Sequence, residues 1–148
     1  MGICPYSPSV LPSPCTCLAL RRATRRLTQQ YDAALAPSGL RVTQFSLLNV
    51  LDRLGAATVQ QLADELAMDR STLGHNLRPL ERDGLVRLEV DPDDRRARRL
   101  VLGTQGKAAL AEARPLWRAA QARFESAYGK ERAGELGALL HAVAEVSA

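Results

Sequence analysis

The chain has 148 residues, with twenty Lys plus Arg against sixteen Asp plus Glu and a formal net charge of +4. That length suits one domain with a sizeable core, and 46 % apolar with 24 % charged residues excludes a largely disordered, collagen-like or solenoid chain. Aromatics at 4 % argue against a stacking platform for single-stranded nucleic acid. The charge fits a polyanionic partner without identifying one. Eighteen of the cations are Arg, an excess that a GC-rich coding sequence produces as readily as phosphate recognition does.

No stretch approaches the ~18 apolar residues of a membrane span, so no membrane partner is expected. The N-terminus lacks the charged and apolar regions of a secretory signal, and Tyr6 stands where a myristoylation site wants Ser or Thr. Cys4, Cys15 and Cys17 are an odd number crowded at one end, which is no disulfide framework. A cytoplasmic location is expected. Cys4 with Cys15-x-Cys17 has no adjacent His, so no metal site is expected. A Gly-rich phosphate loop, paired catalytic carboxylates and a nucleophile elbow are all lacking, so neither a cofactor nor an enzyme is expected.

In chain order, residues 1–14 carry Pro5, Pro8, Pro12 and Pro14 among serines and read as a flexible tail. From Cys15 to about Ala36 there is no Pro or Gly. Leu18, Leu20, Leu27, Tyr31 and Leu35 recur at roughly helical spacing, with Arg21, Arg22, Arg25 and Arg26 on the other faces. Pro37-Ser38-Gly39 ends this helix. Thr43 is expected to cap a second helix, apolar nearly all round and therefore buried, that Gly55 ends. Thr58-Val59 opens a two-turn helix to Ala67. Met68-Asp69-Arg70 is a turn, and a helix from Ser71 to about Asp83 follows with Leu73, Leu77 and Leu80 on one stripe. That is a helix-turn-helix. Leu85–Val90 and Arg99–Leu102 alternate as strands around a loop at 91–98, making a hairpin wing. Thr104 is expected to cap a long helix kinked at Pro115. Gly129 breaks it, and a last helix over about Glu131–Val146 turns Leu136, Leu139, Leu140 and Val143 inward. The fold class is thus mostly α with a small β-hairpin wing. A winged helix-turn-helix over 58–103 lies within a domain spanning 15–148, flanked by long helices over 15–36 and 104–148.

A helix-turn-helix sets its second helix in the major groove with N-terminal residues toward the bases. The exposed face offers Arg70, Ser71, Thr72, His75, Asn76 and Arg78, and Asn pairs with adenine through two hydrogen bonds. The alternative is an ordinary solvated face. The wing holds four Arg in Arg95–Arg99, but Asp91, Asp93 and Asp94 oppose them, and from Asp69 to Arg99 eight Arg meet seven acids. Bulk charge does not mark this segment as a DNA footprint; placement must, with Arg95, Arg96 and Arg98 able to enter a minor groove from the tip. The flanking helices carry more apolar surface than the winged helix can cover. Either a second copy covers it, placing two readers on a palindrome, or the helices fold back on their own chain. The competing functional class is a helical interaction or scaffold protein that does not bind DNA.

Asp94-Arg95-Arg96-Ala97-Arg98-Arg99-Leu100-Val101-Leu102 resembles the D-x-R-x-x-x-L-x-L wing of the MarR family of bacterial transcriptional regulators. Leu80-Glu81-Arg82-Asp83-Gly84-Leu85-Val86 resembles its passage from recognition helix to strand. Gln61-Leu62-Ala63 with Asp69-Arg70-Ser71-Thr72-Leu73 resembles its helix-turn-helix. The resemblance spans about Cys17 to Val146. It implies a homodimer, joined through the terminal helices, that binds a palindromic operator in double-stranded DNA, commonly as a repressor. It places Ser71, Thr72, His75 and Asn76 at the bases, Arg95 and Arg96 at the wing tip, and Asp69 with Arg96 as a pair tethering the wing. His75 stands where Arg is usual, so a guanine contact is lost or becomes pH-dependent. Pro79 should bend the end of the recognition helix, and Gly103 replaces the usual Thr.

The family implies a small, often phenolic, effector. Cys17 falls where the hydroperoxide-sensing branch has its reactive cysteine, 14 residues before Tyr31, at the spacing of a tyrosine that holds the thiolate. Arg21 and Val42 replace that branch's other tyrosines. Helix N-termini and nearby cations favour thiolates, and Cys15 is a candidate resolving partner. A small-molecule effector, an oxidant effector and an inert packed cysteine all stay open.

Overall fold

The computed structural model describes residues 14–146. The tail expected over 1–14, Pro14 apart, and Cys4 lie outside that range. Helix α1 (Thr16–Leu35) runs through a 3-10 turn, Ala36–Ser38, to α2 (Val42–Leu54), followed by β1 (Ala56–Ala57), α3 (Val59–Glu65), α4 (Arg70–Arg82), β2 (Val86–Val90), β3 (Arg98–Leu102), α5 (Thr104–Tyr128) and α6 (Lys130–Ala144). The mostly helical class with a small wing is what the sequence predicts.

Several boundaries move, each for a local reason. Arg41, not Thr43, caps α2: its backbone N–H donates to Gln44 Oε1 at 2.9 Å, while Val42 N–H donates to Asp32 Oδ1 at 2.7 Å. Asp69 caps α4, so that helix begins one residue before Ser71. Gly103 rather than Thr104 precedes α5. Both internal prolines stay within their helices. The two-residue β1 is absent from the sequence reading, because alternation cannot show in so short a strand. It pairs antiparallel with β3 at Ala56–Val101, giving a three-stranded sheet in the order β1-β3-β2.

The core sits where α2 meets the sheet and the helix-turn-helix. Leu47, Leu48 and Leu51 of α2 are sealed against Leu62, Leu73, Leu80, Val86 and Leu100, with Leu35 and Leu110 closing it from α1 and α5. Phe45 stacks on Trp117 with ring centroids 5.7 Å apart, and Arg114 ties α5 to α2 through Asp52 at 2.5 Å.

The start of α5 crosses the corner between α4 and β2 at backbone contact. A Cβ on Gly106 would lie 2.0 Å from the Leu85 carbonyl oxygen, and one on Gly103 2.1 Å from that of Gly84. Any side chain at Gly103, the family's usual Thr included, would collide there. The expectation for the last helix fails in a single chain: α6 buries no residue. Leu139, Leu140, Val143 and Val146 are 65 %, 41 %, 48 % and 75 % exposed, and Leu136 is half-buried. Among the described residues no helix is long and apolar enough to cross a membrane.

Candidate nucleic-acid interface

Helix α4 forms because Asp69 closes its N-terminus twice over. Asp69 Oδ1 accepts from the Thr72 backbone N–H at 2.8 Å and Oδ2 from the Thr72 hydroxyl at 2.6 Å. Those bonds, the hydroxyl's first, hold the Asp69 carboxyl below its ordinary range. Leu73, Leu77 and Leu80 then face the core. At 100° per residue the opposite face presents Ser71, Thr72, His75 and Arg78, all exposed, with Arg70 exposed at the flank. Asn76 is half-buried and directs its Nδ2 to Met68 Sδ at 3.8 Å. Five of the six expected reading residues therefore stand in solvent, and Asn76 lies at the seam with the turn. That turn holds Ala67 at φ 49°, the one non-glycine residue with a positive φ among the described residues.

In the wing, β2 and β3 pair from Val86–Leu102 to Val90–Arg98. The loop between them is organised by Asp91, which is the buried charged residue of the described chain. Asp91 Oδ1 accepts from the Asp93 backbone N–H at 2.9 Å, its backbone N–H donates to the Ala97 carbonyl at 3.1 Å, and Arg99 Nε donates to its Oδ2. The Asp93 amide first, and then Arg99, holds the Asp91 carboxyl below its ordinary range against the opposing effect of burial. Asp94 turns back on the loop, accepting from the Arg96 backbone N–H at 2.9 Å.

The local charge count is therefore misleading. Asp91 and Arg99 satisfy each other inside the hairpin, while Arg95, Arg96 and Arg98 are exposed and have no carboxylate partner among the described residues. In the sequence Asp91 reads as one more loop acid. The Asp-Pro-Asp-Asp turn is the available signal, since Asp side chains that cap their own turns bind backbone amides two residues on. The pairing of Asp69 with Arg96 does not form: Asp69 is committed to Thr72, and the ion pair in the wing is Asp91–Arg99.

The structure also separates the expected sensor residues. Cys15 is the N-cap of α1, with its Sγ accepting from Leu18 N–H at 3.4 Å, and Cys17 lies in the first turn; both are exposed. Tyr31 sits 14 residues farther along the same helix, about 21 Å at 1.5 Å per residue, so it does not reach Cys17 within the chain. Its hydroxyl donates to Gln121 Oε1 at 2.5 Å. Burial first, and Glu125 second, pushes the Tyr31 hydroxyl above its ordinary range. No cluster of His, Cys, Asp or Glu suited to a metal ion occurs among the described residues.

Comparison with curated protein sequences gives no significant match. The family model of the MarR family matches residues 38–97. Among solved structures, the Mycobacterium tuberculosis transcriptional regulator MosR in complex with DNA is 41 % identical, over 87 % of this chain and 98 % of that one, with a TM-score of 0.71. The transcriptional repressor CouR bound to a 23-mer DNA duplex is 29 % identical, over 93 % of this chain and all of that one, with a TM-score of 0.81. A cysteine-to-serine mutant of Escherichia coli MarR complexed with operator DNA, 20 % identical over 85 % and 91 % of the two chains, shares the fold at a TM-score of 0.77. The helix-turn-helix, the wing and this similarity to MosR over nearly its whole length establish that the chain belongs to the MarR family of DNA-binding transcriptional regulators.

Proposed function

We propose that this regulator is a repressor that binds a palindromic operator as a homodimer and is released by a small ligand or by oxidation at Cys17. The observation that carries the DNA-reading part is the wing's division of labour: one Arg is spent inward on Asp91, and three stand outward without an acid partner among the described residues. In this reading Ser71, Thr72, His75 and Asn76 meet base edges in the major groove. Arg70 and Arg78 contact phosphates, and Arg95, Arg96 and Arg98 enter the adjacent minor groove. The name of CouR as a repressor supports the sign of regulation.

The homodimer is supported by the uncovered Leu139, Leu140 and Val143 of α6, by Val146 just beyond its end and by Leu18 of α1. Large apolar side chains left uncovered in number mark an interface, and two readers related by a dyad suit a palindrome. Residues 15–36 and 104–148 are then the dimerisation region, with 58–103 as the reader, acting in the cytoplasm where its DNA lies.

Two features support release. A cleft of about 620 Å³ between α1 and α5, lined by Leu27, Tyr31, Arg123, Phe124 and Tyr128 among others, suits a small ligand. The exposed Cys17 suits an oxidant: its thiolate takes one oxygen from a hydroperoxide, giving a sulfenic acid and an alcohol. The Cys15 thiol then condenses with it, forming the disulfide and releasing water. Cys15 is the extended N-cap of α1 and Cys17 lies in its first turn, so that disulfide requires the start of α1 to rearrange.

A gel shift on the intergenic DNA upstream of the regulator's own gene tests the reading. A salt-sensitive complex with two-fold symmetric protection is expected; an intact dimer that binds no such DNA at low salt overturns it. Peroxide should release wild type but not Cys17→Ser, and equal release of both removes Cys17 from the mechanism.

A further inference from the structure

Helix α4 contains a single glycine, Gly74, in its interior. Glycine there weakens a helix relative to alanine, because it has more backbone freedom to lose. Folding of the chain gives no reason to accept that loss. Gly74 does not have a positive φ. A Cβ built on it would meet no atom of the described chain within 4 Å beyond its own stretch of helix. Gly103 and Gly106 differ, since backbone contact at 2.0–2.1 Å excludes a side chain from each of them.

The position of Gly74 on the helix supplies a reason. At about 100° and 1.5 Å per residue, Arg70, Gly74 and Arg78 follow one another along one flank, each about 40° round and about 6 Å along from the last. This flank stands roughly 90° from the buried stripe of Leu73, Leu77 and Leu80. Arg70 and Arg78 are exposed and have no carboxylate partner among the described residues. Glu81, the acid of this flank, comes three residues beyond Arg78 and forms no ion pair with it. The major groove of B-DNA is about 12 Å wide, and a helix with its side chains is about 10–12 Å across. A helix seated there has little clearance from the two sugar-phosphate walls. A bare backbone between two arginines lets one wall come closer than any side chain would permit.

We propose that Gly74 is a positioning residue for operator binding. One DNA strand lies against the uncovered backbone of α4 at Gly74, which brings its phosphates within reach of Arg70 on one side and Arg78 on the other. Guanidinium groups hold phosphates through paired, charge-assisted hydrogen bonds. The inference rests on the reading of α4 as the helix in the major groove and adds what sets its depth there.

Gly74→Ala and Gly74→Leu test it, because fold and function should move in opposite directions. Both residues form helix better than glycine, so the denaturation midpoint of the free protein should rise in each, with the dimer intact. Affinity for the intergenic DNA upstream of the regulator's own gene should nevertheless fall, by about ten-fold for alanine and about a hundred-fold for leucine. The salt dependence of the remaining binding should drop by about 2 in slope, as the two arginines lose their phosphates. Wild-type affinity in both variants overturns the inference and leaves the operator reading standing. A loss of affinity at unchanged salt slope also overturns it, since Gly74 would then face bases and not a phosphate wall. Failure of the wild-type dimer itself to bind this DNA at low salt overturns the operator reading and this inference with it.

Discussion

The two ends of the molecule solve the burial problem differently. The reader packs α2, α3, α4 and the sheet around leucines that are almost wholly sealed, and its one buried charge is paired. At the other end, the helical stalk of α1, α5 and α6 leaves α6 without a buried residue and Leu18, Tyr128, Leu139, Leu140, Val143 and Val146 in solvent. Charge divides the other way: the reader is nearly balanced, and the stalk carries the excess. A domain that reads DNA thus places its cations by geometry, while its stalk leaves apolar and cationic side chains uncovered in the single chain.

The sharpest way to break this contrast is Leu139→Glu/Leu140→Glu. Both side chains are exposed in the single chain, so the reader should stay folded while the dimer dissociates. Sedimentation should show a monomer, and operator affinity should fall by about 10²-fold, since two linked half-sites gain that much by effective concentration. A variant that remains dimeric with full affinity would show that α6 does not carry the dimer. The complementary break, where α5 meets the reader, is Gly106→Ala. Its Cβ meets the Leu85 carbonyl, so it should cost about 1–3 kcal/mol, visible as a lower Tm with the dimer intact.

Most of the reader is legible in the sequence, because periodicity encodes which side of a helix or strand is buried. Leu73, Leu77 and Leu80 face inward as their spacing implies, and Arg95, Arg96 and Arg98 face outward. What stays hidden depends on single bonds. Asp91 looks like its neighbours Asp93 and Asp94 in sequence, and only the folded loop shows that it alone is buried. Resemblance predicts the Asp69–Arg96 pair, but the Thr72 hydroxyl and amide hold Asp69 first. The α6 leucines are legible as apolar yet not as uncovered, since amphipathicity does not say which chain supplies the other side.

Asp91 gives the wing a pH dependence of known sign. A carboxyl held below its ordinary range stabilises the fold above that range, and the contribution is lost as pH falls through the depressed folded value. The wing amides of Asp93 and Ala97 should therefore keep their protection at about pH 5–8 and lose it only below about pH 4. Asp91→Asn should remove the pH dependence and weaken operator binding several-fold by freeing the loop. Unchanged amide protection in that variant would show that Asp91 does not hold the wing. Arg96→Ala, by contrast, should weaken binding uniformly across sequences and lower the salt slope by about 1, whereas Asn76→Ala should relax base preference. Because Asn76 is half-buried against Met68, its effect should be the smaller of the two.

The smallest expected effect tests whether the reader is fully optimised. Ala67 holds a left-handed conformation in the turn between α3 and α4, which costs an L-residue roughly 1 kcal/mol and glycine almost nothing. Glycine also has more freedom to lose on folding, and that offsets part of the gain. Ala67→Gly should therefore stabilise the chain by about 0.5 kcal/mol, read as a small rise in denaturation midpoint at constant slope. A midpoint that falls would mean that chain entropy outweighs the relieved strain. A loss of DNA affinity in the stabilised variant would mean that stiffness of this turn, and not only its shape, sets how α4 meets the groove.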